Sequence, residues 1–378
     1  MTTKTGIIPF NQPFISGCEI EYIQQAISLG NLAGDGYFTH LCEAFLQNLT
    51  KSSRVLLTSS CTHALEMAAM LIDIQPGDEV IMSSFNFVSA ANAFVLRGAK
   101  IVFVDIRPDT LNIDEELIEE AISPKTKAIV AMHYGGVACN MQKIMALAEN
   151  YGIKVIEDAA HCIDAYYKGQ HLGSIGHLGT LSFHATKNIQ CGEGGALMIN
   201  DSSFINRGEI LRDKGTNRKQ FITGEIDKYT WIDIGSSYLL GELAAAFLYG
   251  QLLELKDVTV ERKKNWINFM ENLTPLIGNF ELPTLTSSCE HNAHIFFLKC
   301  QNFLIRDNLI LFLKKHKITG SFHYLPLHKS IIGRKHGVFL GSDRNTTKIS
   351  ENLVRLPLFH GMDCANFIVQ TIGKFYDC

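Results

Sequence analysis

The chain has 378 residues, 46% of them hydrophobic and 19% charged, with a formal net charge of −4. That balance supports a large buried core and excludes a disordered tail. With no basic surplus, it also excludes a general nucleic-acid binder. The length suits two domains, or one large domain with a smaller companion. Ten cysteines are scattered without a C-x-x-C pair or a zinc-like Cys/His spacing, which reads as reduced thiols in a reducing cytosol and no metal site. The opening MTTKTGIIPFNQPF holds no long apolar run, so no secretory leader is expected. No run of about 18 apolar residues occurs that would span a membrane. A soluble cytoplasmic protein is expected, without nucleic-acid or membrane partners.

From about residue 54 to 200, short apolar runs alternate with helix-length amphipathic stretches. RVLLTS reads as a strand and CTHALEMAAMLIDI as a helix; the turn QPGD announces the strand DEVIMS. VSAANAFVLRG is a helix ending at Gly98, KIVFVDI a strand, and DEELIEEAI a helix with its acids early, where the helix dipole favours them. KAIVAMH, MQKIMALAENYG and KVIEDA continue the alternation. The strand runs are apolar on both faces, as in a parallel sheet covered by helices on each side, so the class is α/β. GTLSFH and GGALMIN are close enough to pair as strands without an intervening helix. Residues 236–272 carry a long helical pattern, interrupted near DVTV. HIFFLKC (strand), RDNLILFLKKH (helix), ITGSFHY (strand) and helices near 346–354 and 364–375 then suggest a smaller α/β unit. The division predicted is 1–254 for the large domain and 255–378 for the small one.

Ligands of a parallel α/β sheet sit outside the carboxyl ends of its strands, and four candidate groups fall there. In TSSCTHALE, Ser60, Cys61 and Thr62 open a helix and could present amides and a hydroxyl to an anion; they equally suit a plain N-cap by Ser60 or Thr62. SSFNFVS offers Phe85 and Phe87, for stacking on a flat ligand or for the core. KVIEDAAH ends its strand on Glu157 and Asp158, where an acid holds a cationic ring nitrogen or caps a turn. Lys187, in SFHATKNIQCGEGG, follows another strand. A lysine desolvated among small and apolar residues loses proton affinity and becomes a nucleophile for carbonyls. Singly, each residue has an ordinary structural use. Together, an anion cradle, an aromatic, an acid and a lysine in that order describe a pyridoxal-phosphate site. CGEGGA precedes a strand and so is no dinucleotide fingerprint. His161, His171, His177 and His184 match no zinc spacing.

EDAAH, GTLSFHATKN, GEGGAL, PGDEVIMSSFNFVSAANA and FHYLPLH resemble the DegT/DnrJ/EryC1/StrS sugar aminotransferases over roughly residues 7 to 376. The resemblance implies the type I (aspartate aminotransferase-like) pyridoxal-phosphate fold: a large domain with a mixed, mostly parallel sheet plus the smaller C-terminal domain. It also implies a homodimer with active sites at the interface. By the same resemblance, Lys187 carries the cofactor, Asp158 pairs with its ring nitrogen, Phe87 covers the ring and His161 lies beside it. Cys61, Thr62 and Ser182 contact the phosphate. GSSYL replaces the GYN-x-R of many members, so Ser237 stands where an asparagine reaches the neighbouring subunit's phosphate. Members that dehydrate sugars carry histidine at the lysine position; lysine here favours transamination. The substrates implied are L-glutamate and a nucleotide-linked keto sugar. Subgroup likeness in RDKGTNRKQF and DKYTWIDIGSSYL favours the 4-keto carbon of dTDP-4-keto-6-deoxy-D-glucose and a galactose-configured product. His323, Tyr324 and His328 are candidates for the sugar wall, or for packing.

Overall fold

The structure, a computed structural model, describes residues 6–377. Residues 1–5, which open the N-terminal stretch and the large-domain range read above, and Cys378, which ends the small one, lie outside the described residues. In chain order the strands are β1 (Arg54–Thr58), β2 (Glu79–Ser83), β3 (Lys100–Val104), β4 (Thr126–Met132) and β5 (Lys154–Asp158). The short β6 (Tyr166–Tyr167) and β7 (Gln170–His171) follow, then β8 (Leu178–Ser182) and β9 (Gly195–Ile199). Later come β10 (Phe280–Glu281), β11 (Cys289–Glu290), β12 (Phe296–Cys300), β13 (Gly337–Phe339) and β14 (Leu353–Leu356).

Eight of these form one sheet in the order β1-β9-β8-β5-β4-β2-β3-β13, in which β9 alone runs antiparallel to its neighbours. This is the mixed, mostly parallel α/β sheet expected. Both faces are buried because side chains alternate along each strand. On β1, Leu56 joins the core on one face with Met82 and Phe103, while Val55 and Leu57 join the opposite core with Leu181 and Met198. A three-stranded antiparallel sheet, β10-β12-β14, carries a third core with Trp266, Phe269, Leu313 and Ile368.

Several elements differ from expectation. DEELIEEAI keeps only one helical turn, Ile118–Ala121. ITGSFHY forms no strand; it makes only isolated bridges, from Ile318 to Ile8 and from Ser321 to Arg355. The long helical stretch breaks at Glu254, not at DVTV, which lies inside the helix Leu255–Leu273. That helix starts in the large core through Leu255 and Val258 and ends in the small one through Phe269 and Leu273. β13 returns to the edge of the large sheet. The division we propose, 1–254 and 255–378, therefore begins with a shared helix. No helix among the described residues is long and apolar enough to cross a membrane.

Candidate active site

Strands β1, β2, β5 and β8 point the same way, so their carboxyl ends meet at one edge of the sheet, and a cavity of about 340 Å3 opens there. Its lining contains Cys61, Thr62, Phe87, Asp158, His161, Ser182, Lys187, His323 and Tyr324. Two of the residues that the resemblance assigns to the site are not in it. Ser237 is exposed and its backbone bridges Asp213; a contact made across a subunit interface would lie outside a chain's own cavity. His328 is held elsewhere, between the Ser84 hydroxyl at 2.7 Å and the Asp343 carboxylate at 3.1 Å, where it ties its loop to the end of β2.

The anion cradle and the N-cap prove compatible. Ser60 is extended and its Oγ accepts the His63 N–H at 3.1 Å, which starts the helix Cys61–Leu71. A cap satisfies one amide and leaves others of the first turn free for a ligand. Gly195 explains the glycines of GEGG: a Cβ there would stand 2.3 Å from the Cys61 nitrogen, so only glycine lets β9 pass so close to this helix start. Thr62 Oγ1 donates to Ser89 Oγ at 2.8 Å, and the buried Ser182 closes the same end. Burial, with the nearby Asp158 charge, pushes the Cys61 thiol up to about 12, so it stays protonated.

Adjacent acids on β5 face opposite ways because a strand alternates. Glu157 is fully buried on the far face, paired with His133 Nε2 at 2.9 Å and accepting the amides of Gly173, Ile175 and Gly176. Asp158 faces the cavity. Its Oδ1 accepts the Ala160 N–H at 3.1 Å, and no donor among the described residues meets Oδ2. Burial raises its pKa, and the charges of Lys187 and His133 oppose that.

Lys187 rides on a pinned loop. The Ala185 N–H donates to Gly192 O at 2.8 Å, and Cys191 N–H to Phe183 O at 2.9 Å. Asn188 donates to Asn292 O at 3.0 Å and meets His294 Nδ1 at 2.8 Å through its Oδ1, tying the loop to the segment that leads into β12. The half-buried lysine makes no side-chain hydrogen bond among the described residues. Burial pushes its amine below the ordinary lysine range; the Asp158 charge pulls it back up, and Arg355 presses it further down. Of the two aromatics, Phe85 is fully buried against Tyr134 and Tyr324, whereas Phe87 is 56% exposed at the cavity mouth.

The opposite wall comes from the C-terminal part. His323 stacks on Tyr324 with centroids 3.9 Å apart, and Tyr324 reaches His161 Nε2 at 3.5 Å. His161 and His294 lie 4.5 Å apart, and burial beside Lys187 pushes both well below the usual histidine range. Sequence reading missed His294, Arg262, Arg355, Asn86, Phe10 and Asn11, all of which line the cavity. An arginine inside the apolar run LVRLPL was the available signal for Arg355. Arg262 sits in the charged run VERKK, which reads as a solvated face. Among the described residues, no cluster of three or more His, Cys, Asp or Glu is placed to hold a metal.

Residues 14–372 match the DegT/DnrJ/EryC1/StrS aminotransferase family. Among solved structures, the aminotransferase TlmJ of Streptoalloteichus hindustanus is 26% identical with a TM-score of 0.90, over 98% of this chain and 99% of that one. DesV of S. venezuelae, solved in complex with a ketimine intermediate, is 25% identical with a TM-score of 0.90 over the same shares. A putative sugar aminotransferase of Streptococcus pneumoniae, in its PLP form, also gives 0.90 over those shares at 24% identity, a likeness of fold. The fold is the type I fold of pyridoxal-phosphate-dependent aminotransferases.

Proposed function

For a chain that belongs to the DegT/DnrJ/EryC1/StrS aminotransferase family, we propose amino transfer from L-glutamate to the 4-keto carbon of dTDP-4-keto-6-deoxy-D-glucose. The product would be dTDP-4-amino-4,6-dideoxy-D-galactose, a building block for cell-surface polysaccharide. The cofactor is pyridoxal phosphate. The observation that carries this reading is one cavity lined by a capped helix start, a lysine amine without a hydrogen bond among the described residues, and a carboxylate with one oxygen that meets no donor among them.

Those residues fit the cofactor. Asp158 Oδ2, which meets no donor among the described residues, would hold a proton on the ring nitrogen. The amides of the Cys61–Leu71 helix start, with the Thr62 and Ser182 hydroxyls, would hold the phosphate. Phe87 would cover one face of the ring, with His161 beside it. Bound there, pyridoxal phosphate supplies the carbonyl that carries nitrogen and a ring that accepts electrons. Lys187 does the proton work: as a neutral amine, its Nζ takes a proton from the donor's α-carbon and later gives one to the sugar carbon. A depressed pKa suits a group that both takes and gives. We further propose a homodimer in which Ser237 faces the neighbouring subunit's site.

Loading the protein with pyridoxal phosphate should give a visible band that L-glutamate bleaches; no band, or a band indifferent to glutamate, overturns the reading. Turnover of dTDP-4-keto-6-deoxyglucose against its 3-keto isomer then separates the proposed substrate from the alternative of a 3-keto-sugar aminotransferase. Ring-proton couplings of the product decide galactose against glucose configuration.

A further inference from the structure

Four histidines line the cavity, and their hydrogen bonds separate one from the rest. His161 Nδ1 accepts the Gly135 N–H at 3.2 Å, which leaves its Nε2–H facing the Tyr324 hydroxyl at 3.5 Å. His323 Nε2 bonds Arg355, and its Nδ1 faces the Tyr134 hydroxyl at 3.3 Å. His184 has Nδ1 at 2.9 Å from Thr186 Oγ1 and Nε2 at 3.7 Å from Glu193. His294 differs. The Asn292 carbonyl only accepts, so the Asn188 amide nitrogen faces it, and Asn188 Oδ1 faces His294 Nδ1 at 2.8 Å. Nδ1 therefore carries the hydrogen, and in the neutral ring Nε2 keeps a bare lone pair. Burial, with the Lys187 and Arg262 charges, holds the ring neutral.

That lone pair is held firmly. Arg262 donates to the carbonyls of Ala293 at 3.2 Å and His294 at 3.0 Å, and Trp266 Nε1 to that of Ile295 at 3.1 Å. Asn188 follows Lys187 directly, so the imidazole keeps a fixed relation to the lysine loop. His294 is only 7% exposed, yet no donor among the described residues meets Nε2. A buried acceptor left unpaired is costly; an O–H or N–H brought in by a ligand would offset that cost.

We propose that His294 Nε2 accepts the C3 hydroxyl of the keto sugar, which makes His294 a specificity-determining residue for the amino acceptor; this rests on the 4-keto-sugar reading. L-Glutamate offers no matching donor. Apart from the nitrogen it gives up, it ends in carboxylates, which accept only. In the sugar, Lys187 works at C4. Of the two carbons beside C4, C5 bears a methyl group and the ring oxygen, so C3 bears the only neighbouring hydroxyl.

The test compares dTDP-4-keto-6-deoxy-D-glucose with its analogue lacking the C3 hydroxyl, dTDP-4-keto-3,6-dideoxy-D-glucose, as amino acceptors for the cofactor-loaded protein. The analogue should lose about 10- to 100-fold in kcat/KM, because it leaves the lone pair without a donor. His294→Asn, whose short amide reaches Asn188 but not the Nε2 position, should narrow that ratio to within about threefold. His294→Gln, whose longer amide returns an oxygen there, should restore a ratio of at least about tenfold. A role in packing alone would lower both sugars alike and leave the ratio where it was. An analogue turned over as well as the parent sugar overturns the proposal without any variant, and so does an asparagine variant that keeps the full ratio. Turnover of neither sugar, or a cofactor band that glutamate does not bleach, fails the 4-keto-sugar reading, and the proposal with it.

Discussion

Arg212 and Arg355 are both drawn into the interior, yet their surroundings differ in kind. Arg212, 3% exposed at the end of the helix Ile205–Arg212, meets Glu43 at 2.5 Å and Asp35 at 2.6 Å. Glu43 in turn pairs with Arg54 at 2.8 Å and accepts the Leu57 amide. That network ties the segment around Asp35 and the helix Tyr37–Thr50 to the sheet. Arg355 has an aromatic ring, an imidazole and a cavity. Lys187 resembles Arg355, with no carboxylate bonded to its amine. The difference teaches how to separate cations that hold the fold from cations that line the cavity: a carboxylate is bonded to the first kind, and among the described residues none is bonded to the second.

Substitutions at these cations test the contrast, and the largest effect belongs to Lys187. Lys187→Ala should lower turnover by at least about 1,000-fold, while its thermal unfolding midpoint without cofactor stays level or rises, since a desolvated amine is lost. A large drop in the midpoint would place Lys187 with Arg212. Arg212→Met should cost about 3–5 kcal/mol in denaturant unfolding, because Glu43 and Asp35 lose a buried partner. Arg355→Met, with no carboxylate to strand, should shift stability by under about 1 kcal/mol in the same measurement. A loss as large as that of Arg212→Met would erase the distinction.

A smaller effect lies in pH. Burial disfavours the ammonium of Lys187. Covalent capture of added cofactor by the cofactor-free protein should therefore be half-maximal below pH 10.5, the ordinary lysine value. The Asp158 charge holds that pKa up, so Asp158→Asn should move the profile to lower pH; a move upward contradicts the arrangement. A structural effect is expected at Asn188. Its replacement by alanine removes the hydrogen bonds to Asn292 and His294, and should cost about 1–3 kcal/mol of stability while leaving the cofactor band in place.

The edge formed by the strand ends was legible because its residues stand in fixed relation to local signals. Lys187 and Ser182 flank the end of one strand, Asp158 closes another, and the Ser60–Thr62 run opens a helix directly after a third. The far wall was not legible. His294, Arg262 and Arg355 come from the entry to β12, from a helix and from β14, far apart in the chain. ITGSFHY has a strand-like composition, yet after the Ser321 bridge the chain turns away to carry His323 and Tyr324 into the cavity.

Order along the chain and the alternation of strand-length with helix-length runs determined the α/β class, the parallel strands and the cradle, since each depends on neighbours within a few positions. Spacing left open, and tertiary structure decided, which acid of the Glu157–Asp158 pair faces the cavity, which phenylalanine reaches it, and that His328 braces a loop instead of lining the site. It also decided that one interior arginine meets carboxylates while another meets an aromatic ring and an imidazole, because a counter-charge is a matter of distance in space, which sequence spacing does not encode.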